Sequence, residues 1–383
     1  MDHVRLGIAG VGGIAQHHLG SMPKVKRVKL AALADTDPKV LAENTAKHNV
    51  PGFGSAAEML DSGAIDAVLI CTPHYDHPKI AIEAFKRNIH VLTEKPVAVT
   101  AKAAQEANEA HAKCPKVVYA AMFNQRTHAC WKLVKQMMDG GEVGEMLRVQ
   151  WTITNWFRTQ SYYNSGGWRA TWQGEGGGVL INQCPHNLDL FQWFVGMPTR
   201  CTAQVGLGKF HNIEVEDEVT ALLEYANGAT GVFITSTGEA PGTNRLEIVG
   251  DNGRLVTDGR GVEFLRNTTP TREFCANSPE RFSTPGTARY DITPAKMDEG
   301  HHLIVQNFVD AILDGTPLIA PAEEGIRGLE LGNAMLMSGV TKKPVNLPTD
   351  REAYDQMLQG LIANSTFVKP QTQQVSKSFA GSF

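Results

Sequence analysis

Residues 4–20 read VRLGIAGVGGIAQHHLG. An apolar strand pattern runs into Gly10-Val11-Gly12-Gly13-Ile14-Ala15, and a helical pattern, AQHHLGSM, opens at Ala15. A G-x-G-x-x-A between a strand and a helix has a physical logic. Gly10 permits the tight turn, Gly12 lets backbone approach a pyrophosphate, and Ala15 is small enough for helix–strand packing. The amino end of the helix then faces the anion with unpaired N–H groups. Gly10, Gly12, Gly13 and Ile14 are therefore candidate dinucleotide contacts. The next apolar run, VKLAALAD, ends on Asp35, about where an acid would meet a ribose 2′-hydroxyl and repel a 2′-phosphate. That favours NAD over NADP. The plainer alternative is an ordinary glycine turn, with Asp35 or Asp37 capping the next helix.

Working outward, the alternation persists to about residue 120. AIDAVLICTP, IHVLTEKP and KVVYAAMF look like strands; DPKVLAENTAKHN, HPKIAIEAFKRN and TAKAAQEANEAHAK look like helices. Strict alternation implies crossover connections, hence an α/β, doubly wound parallel sheet. From about residue 145 the texture changes to strand-like runs such as MLRVQWTITNW, EVTALLEYA and ATGVFITST, much of it with period-2 alternation. Asn-Gly at 227–228 and 252–253 favours tight hairpins. The expected division is 1–123 for dinucleotide binding, 124–365 for an α+β domain with a large, mostly antiparallel open sheet, and 366–383 for a polar tail. An open sheet needs its far face covered, and a second subunit would do that. A homodimer or homotetramer is expected.

A chain of 383 residues with 42% apolar and 20% charged content suits two soluble cores. Lys plus Arg total 36 against 40 Asp plus Glu, a net charge of −4, and no basic block suggests nucleic acid or an anionic membrane. The six cysteines, at 71, 114, 130, 184, 201 and 275, are scattered, which fits free thiols in a reducing compartment. No basic-then-apolar leader opens the chain and no run approaches a membrane span, so the cytoplasm is expected.

The glycine turn, ICTPHYDHPKIAIEAFKRNIHVLTEKPVAVT (70–100) and GGGVLINQCPHNLDLFQWFVG (176–196) together resemble the Gfo/Idh/MocA oxidoreductases. The resemblance implies an N-terminal Rossmann domain binding NAD(P). It implies hydride transfer to or from a secondary alcohol or ketone of a sugar, cyclitol or related polyol. Lys95 becomes the active-site lysine beside the nicotinamide, Glu94 a neighbour of its carboxamide and ribose, and Pro96 a sharp turn. Thr72, Pro73 and His77 would line the cofactor channel, and Asn124, Gln125 and Arg126 would border cofactor and substrate. The family's Asp-x-x-x-His reads Asn182-Gln183-Cys184-Pro185-His186 here. An asparagine can hold a hydroxyl but takes no proton, so general-base work falls on His186, with Asn182 orienting.

Residue chemistry fits these roles. Oxidising an alcohol needs a base for the O–H and a cation for the developing alkoxide. Lys95, at a strand's carboxyl end, suits the second. His186, one residue into a helix opened by Pro185, sits where the helix dipole disfavours imidazolium and keeps the ring neutral. Asp189, one turn on, would orient that ring or satisfy backbone. Residues 155–178, NWFRTQSYYNSGGWRATWQGEGGG, mix aromatics with arginine, as a carbohydrate pocket requires. Arg158, Tyr163, Trp168, Arg169 and Trp172 are the candidate substrate contacts, joined by Arg126, Asn182 and His186. No metal-ligand spacing is present; His301 and His302 open a helix pattern, and at most one would face inwards. Besides a dehydrogenase, two alternatives stay open: a glycoside-cleaving enzyme using transient oxidation, and a non-catalytic NAD-sensing regulator.

Overall fold

The structure, a computed structural model, describes residues 2–370. Of the expected polar tail, residues 371–383 lie outside that range. Six strands form the first sheet: β1 (Val4–Ala9), β2 (Val28–Ala34), β3 (Gly52–Phe53), β4 (Ala67–Ile70), β5 (His90–Thr93) and β6 (Tyr119–Ala121). All pair in parallel, in the order β3-β2-β1-β4-β5-β6. β4 is buried at every position, as a strand with helices on both faces must be. Strand order reverses between β1 and β4, and a crevice opens there at the carboxyl ends. β3 is two residues long, too short for any periodicity to announce it.

The second sheet contains β7 (Met146–Ile153), β8 (Arg200–Leu207), β9 (Glu216–Glu224), β10 (Thr230–Ser236), β11 (Asn244–Gly250), β12 (Gly253–Thr257), β13 (Val262–Asn267), β14 (Thr287–Ile292) and β15 (Val345–Asn346). Its order is β14-β13-β12-β11-β7-β10-β9-β8-β15. Every neighbouring pair is antiparallel except β7 with β10. The two Asn-Gly pairs lie in the turns between β9 and β10 and between β11 and β12. Along β9, Val219, Ala221 and Leu223 are buried while Thr220, Leu222 and Glu224 are exposed. Helices Pro185–Val195 and Gly325–Thr341 pack together on the buried side. Among the described residues the opposite face is left open at Leu222, which is 58% exposed.

The chain then returns to the first sheet. Helix His301–Asp314 packs against helix Gly13–Ser21 and against β1 and β5. This brings a residue from late in the sequence to the glycine turn, with consequences for the site.

Candidate active site

A cleft of about 690 Å³ follows the carboxyl ends of the first sheet's strands. At the end of β1, Gly10 has φ +84°, and a Cβ there would lie 2.8 Å from the Cys71 carbonyl carbon. No other residue suits that turn. A Cβ on Gly12 meets no atom within 4 Å; open cleft lies over it. Gly13 and Ile14 begin helix Gly13–Ser21 and also line the cleft. The two acids after β2 divide the alternatives raised by the sequence. Asp37 caps the next helix through the N–H groups of Lys39 and Val40. Asp35 lines the cleft and accepts from Val11 N at 2.7 Å and Asp37 N at 2.9 Å. Open space above Gly12, helix N–H groups and a strand-end carboxylate suit the phosphates and ribose of NAD.

Thr72, Pro73, His77, Glu94, Lys95 and Asn124 all line the same cleft. His77 faces the carbonyls of Thr72 at 2.8 Å and Pro96 at 2.7 Å, so its ring ties the turns after β4 and β5 together. The Lys95–Pro96 peptide is cis. Glu94 is buried and meets His18 Nε2 at 2.7 Å. Burial alone would raise its pKa. The bond to His18 and the charges of His18, His301 and Lys95 outweigh that and draw it down to about 2. His301 lines the cleft, while His302 turns to Asp298. Burial, helped by His18, holds His301 down at about 3 despite the nearby Glu94 carboxylate.

At the far end Lys95 Nζ donates to the main-chain oxygen of Asn182 at 3.0 Å. Burial lowers the Lys95 pKa, against the pull of Glu94. His186 lies in the first turn of helix Pro185–Val195. Burial first and Lys95 second push its pKa well below the ordinary imidazole value. It lines the cleft as a neutral ring, able to accept a proton. The Asn182 side-chain amide donates to Glu175, whose other oxygen accepts from Ala170 N and which sits 3.7 Å from Arg169. Burial raises the Glu175 pKa, and Arg169 opposes that. A carboxylate thus stands directly behind position 182, supplied by a neighbouring loop.

Arg158, Trp168 and Arg169 line the cleft with Asn182, Gln183 and His186. Tyr163 does not: its hydroxyl pairs with Thr237 Oγ1 at 2.7 Å inside the protein. Its neighbour Tyr162 faces the cleft instead, donating to Asn182 Oδ1 at 3.4 Å and accepting from Arg169 at 2.6 Å and Gln183 at 3.0 Å. Trp172 is buried away from the cleft, its carbonyl taking the Tyr75 hydroxyl. Arg126 is 1% exposed and forms a double hydrogen bond to Asp189 and another to Glu324 at 2.6 Å. Neither Arg126 nor Asp189 reaches the cleft, so Arg126 is a buried strut, and Asp189 serves it rather than the His186 ring. Trp156, Tyr162, Gln183 and His74 join the lining without having been singled out by sequence, and His301 joins it as the one inward-facing member of the His301–His302 pair. Behind it, Glu216 accepts from Gly178 N at 2.8 Å and Leu180 N at 3.1 Å and fixes the glycine run before Asn182.

Among the described residues no group of three or more His, Cys, Asp or Glu is arranged for a metal, and no helix is long and apolar enough to cross a membrane. All six cysteines are free.

Comparison with known proteins agrees with this fold. Residues 4–122 match the family model of oxidoreductases with an NAD-binding Rossmann fold, and residues 131–256 match the GFO/IDH/MocA C-terminal domain. The chain is 24% identical to levoglucosan dehydrogenase of Pseudarthrobacter phenanthrenivorans, over 91% of this chain and 99% of that protein. It is 26% identical to scyllo-inositol 2-dehydrogenase (NAD(+)) of Bacillus subtilis, over 93% and 100%. Among solved structures, the WlbA dehydrogenase of Chromobacterium violaceum, in complex with NADH and UDP-GlcNAcA, is similar with a TM-score of 0.78 and 27% identity, over 91% and 97%.

Proposed function

The chain belongs to the Gfo/Idh/MocA oxidoreductases, an NAD-dependent sugar and polyol dehydrogenase by its relatives, and from that premise we propose that it oxidises a secondary alcohol on a sugar, glycoside or cyclitol. The observation that carries the reading is the meeting of Lys95, Asn182 and His186 on one cleft that also holds the glycine turn and Asp35. NAD supplies the hydride acceptor when bound. The protein's part is proton handling and charge. His186, neutral and lining the cleft, takes the hydroxyl proton. Lys95 stabilises the oxygen as negative charge develops. Asn182 holds the hydroxyl in place through its amide, which Tyr162 and Glu175 fix from behind.

Measuring NADH formation from NAD+ across inositols, free sugars and glycosides tests this. Turnover that Lys95→Met abolishes supports the reading; a flat panel with NADH bound normally overturns it. Release of an aglycone without net NADH would shift it to transient oxidation with cleavage. The same reading carries a homo-oligomer closed through the uncovered sheet face around Leu222. Light scattering on the wild type and on Leu222→Glu reads that directly: a wild-type monomer sinks it.

A further inference from the structure

Cations dominate the substrate end of the cleft. Lys95, Arg158 and Arg169 line it, and one carboxylate, Glu175, stands behind Arg169. The cleft's other acids are engaged elsewhere: Asp35 at the glycine turn, Glu94 on His18 and Asp76 beside Lys79 at 3.5 Å. Arg158 differs from its neighbours. Its backbone is pinned, with N–H on Thr237 O at 2.9 Å and carbonyl on His211 Nε2 at 2.8 Å. Its guanidinium lies over Trp156 at 5.4 Å and Tyr162 at 5.2 Å. Among the described residues its side chain hydrogen-bonds only the adjacent Phe157 carbonyl, and no carboxylate pairs with it. A positioned, aromatic-backed guanidinium presents its remaining N–H groups as a fork that matches an oxyanion.

We propose that the substrate carries an oxyanion, held by Arg158, so that the enzyme acts on a sugar acid or a sugar phosphate in preference to a neutral sugar. This rests on the redox reading above and narrows its substrate class. A neutral sugar would satisfy the hydroxyl-binding groups but leave the Arg158 charge without a counter-ion. An anionic one neutralises the excess and exploits a cation whose orientation is already fixed.

Matched pairs test it: methyl glucoside against methyl glucuronide for the carboxylate, and glucose against glucose 6-phosphate for the phosphate. The expected result is a higher kcat/KM for one anionic member by about 10-fold or more, and which arm responds identifies the oxyanion. Arg158→Met should lower the anionic-to-neutral ratio by about 10- to 100-fold, with Arg158→Lys intermediate. Equal or better turnover of the neutral partners, or a ratio indifferent to Arg158→Met, overturns the proposal. A panel with no turnover sinks the redox reading separately. Quenching of tryptophan fluorescence in the NADH complex by the same pairs then decides the ligand class: tighter anion binding, lost in Arg158→Met, upholds it, and equal affinities overturn it.

Discussion

The side-chain amide of Asn182 donates to the buried carboxylate of Glu175. An asparagine at 182 takes no proton itself, yet a carboxylate stands one hydrogen bond behind it. Glu175→Gln should lower kcat by about 10- to 100-fold with a smaller change in KM, because the amide loses its fixed acceptor rather than a substrate contact. Asn182→Asp alone should also lower kcat, since two carboxylates would then face each other. Combining the two substitutions should recover part of that loss. A double variant no better than Asn182→Asp would dismiss the coupling.

The pH profile follows from two depressed pKa values. His186 is pushed well below 6.5, so the base stays neutral, and kcat/KM stays level, as pH falls through 6.5; the acid limb should lie lower. Lys95 is held below 10.5, so loss of its charge should bring the alkaline limb in below that value. Steady-state rates across the range, corrected for stability, check both limbs.

Two glycines of one turn should fail differently. Gly10→Ala places a Cβ against Cys71 backbone at positive φ and should lower the melting temperature. Gly12→Val adds its side chain to open cleft, so the fold should keep its stability while NADH affinity drops by more than about 10-fold. Calorimetry and an NADH titration on both variants separate the outcomes.

Arg126→Leu leaves the Asp189 carboxylate buried without its partner, which costs about 3–5 kcal/mol. Arg126→Leu with Asp189→Leu should be markedly more stable than the single variant. Denaturant midpoints measure it. If Arg126 served substrate instead, KM would rise with stability unchanged.

Glu216 should make stability fall as pH rises. Burial lifts its pKa from 4.5 to about 7. The folded state therefore binds the proton more tightly, and that contribution is complete below 4.5 and lost as pH passes 7. It amounts to roughly 3 kcal/mol at most, at 1.36 kcal/mol per unit. Urea midpoints for Glu216→Gln should lack this slope.

Patterns within one element were legible in the sequence. The glycine turn, the parallel alternation, the Asn-Gly hairpins and Lys95 after β5 all follow from local chemistry. What escaped was set by tertiary placement rather than by local pattern. Arg126 looked like a ligand group because Asp189 and Glu324 lie far along the sequence. Tyr162 and Tyr163 share a five-residue helix, Gln160–Asn164, too short for periodicity to say which faces the cleft. Glu175 sat unmarked in a glycine-rich stretch, and only folding brings it to Asn182.

Helix His301–Asp314 gives this enzyme an order of assembly. The dinucleotide half is translated first, but an apolar flank of its glycine-turn helix and first strand is closed by residues made some three hundred positions later. A ribosome-bound or excised fragment ending near residue 123 would hold the glycine turn and Asp35 and still present that flank to solvent. NAD binding should therefore mature only when nearly the whole chain has emerged, so truncated products remain poor competitors for the cofactor.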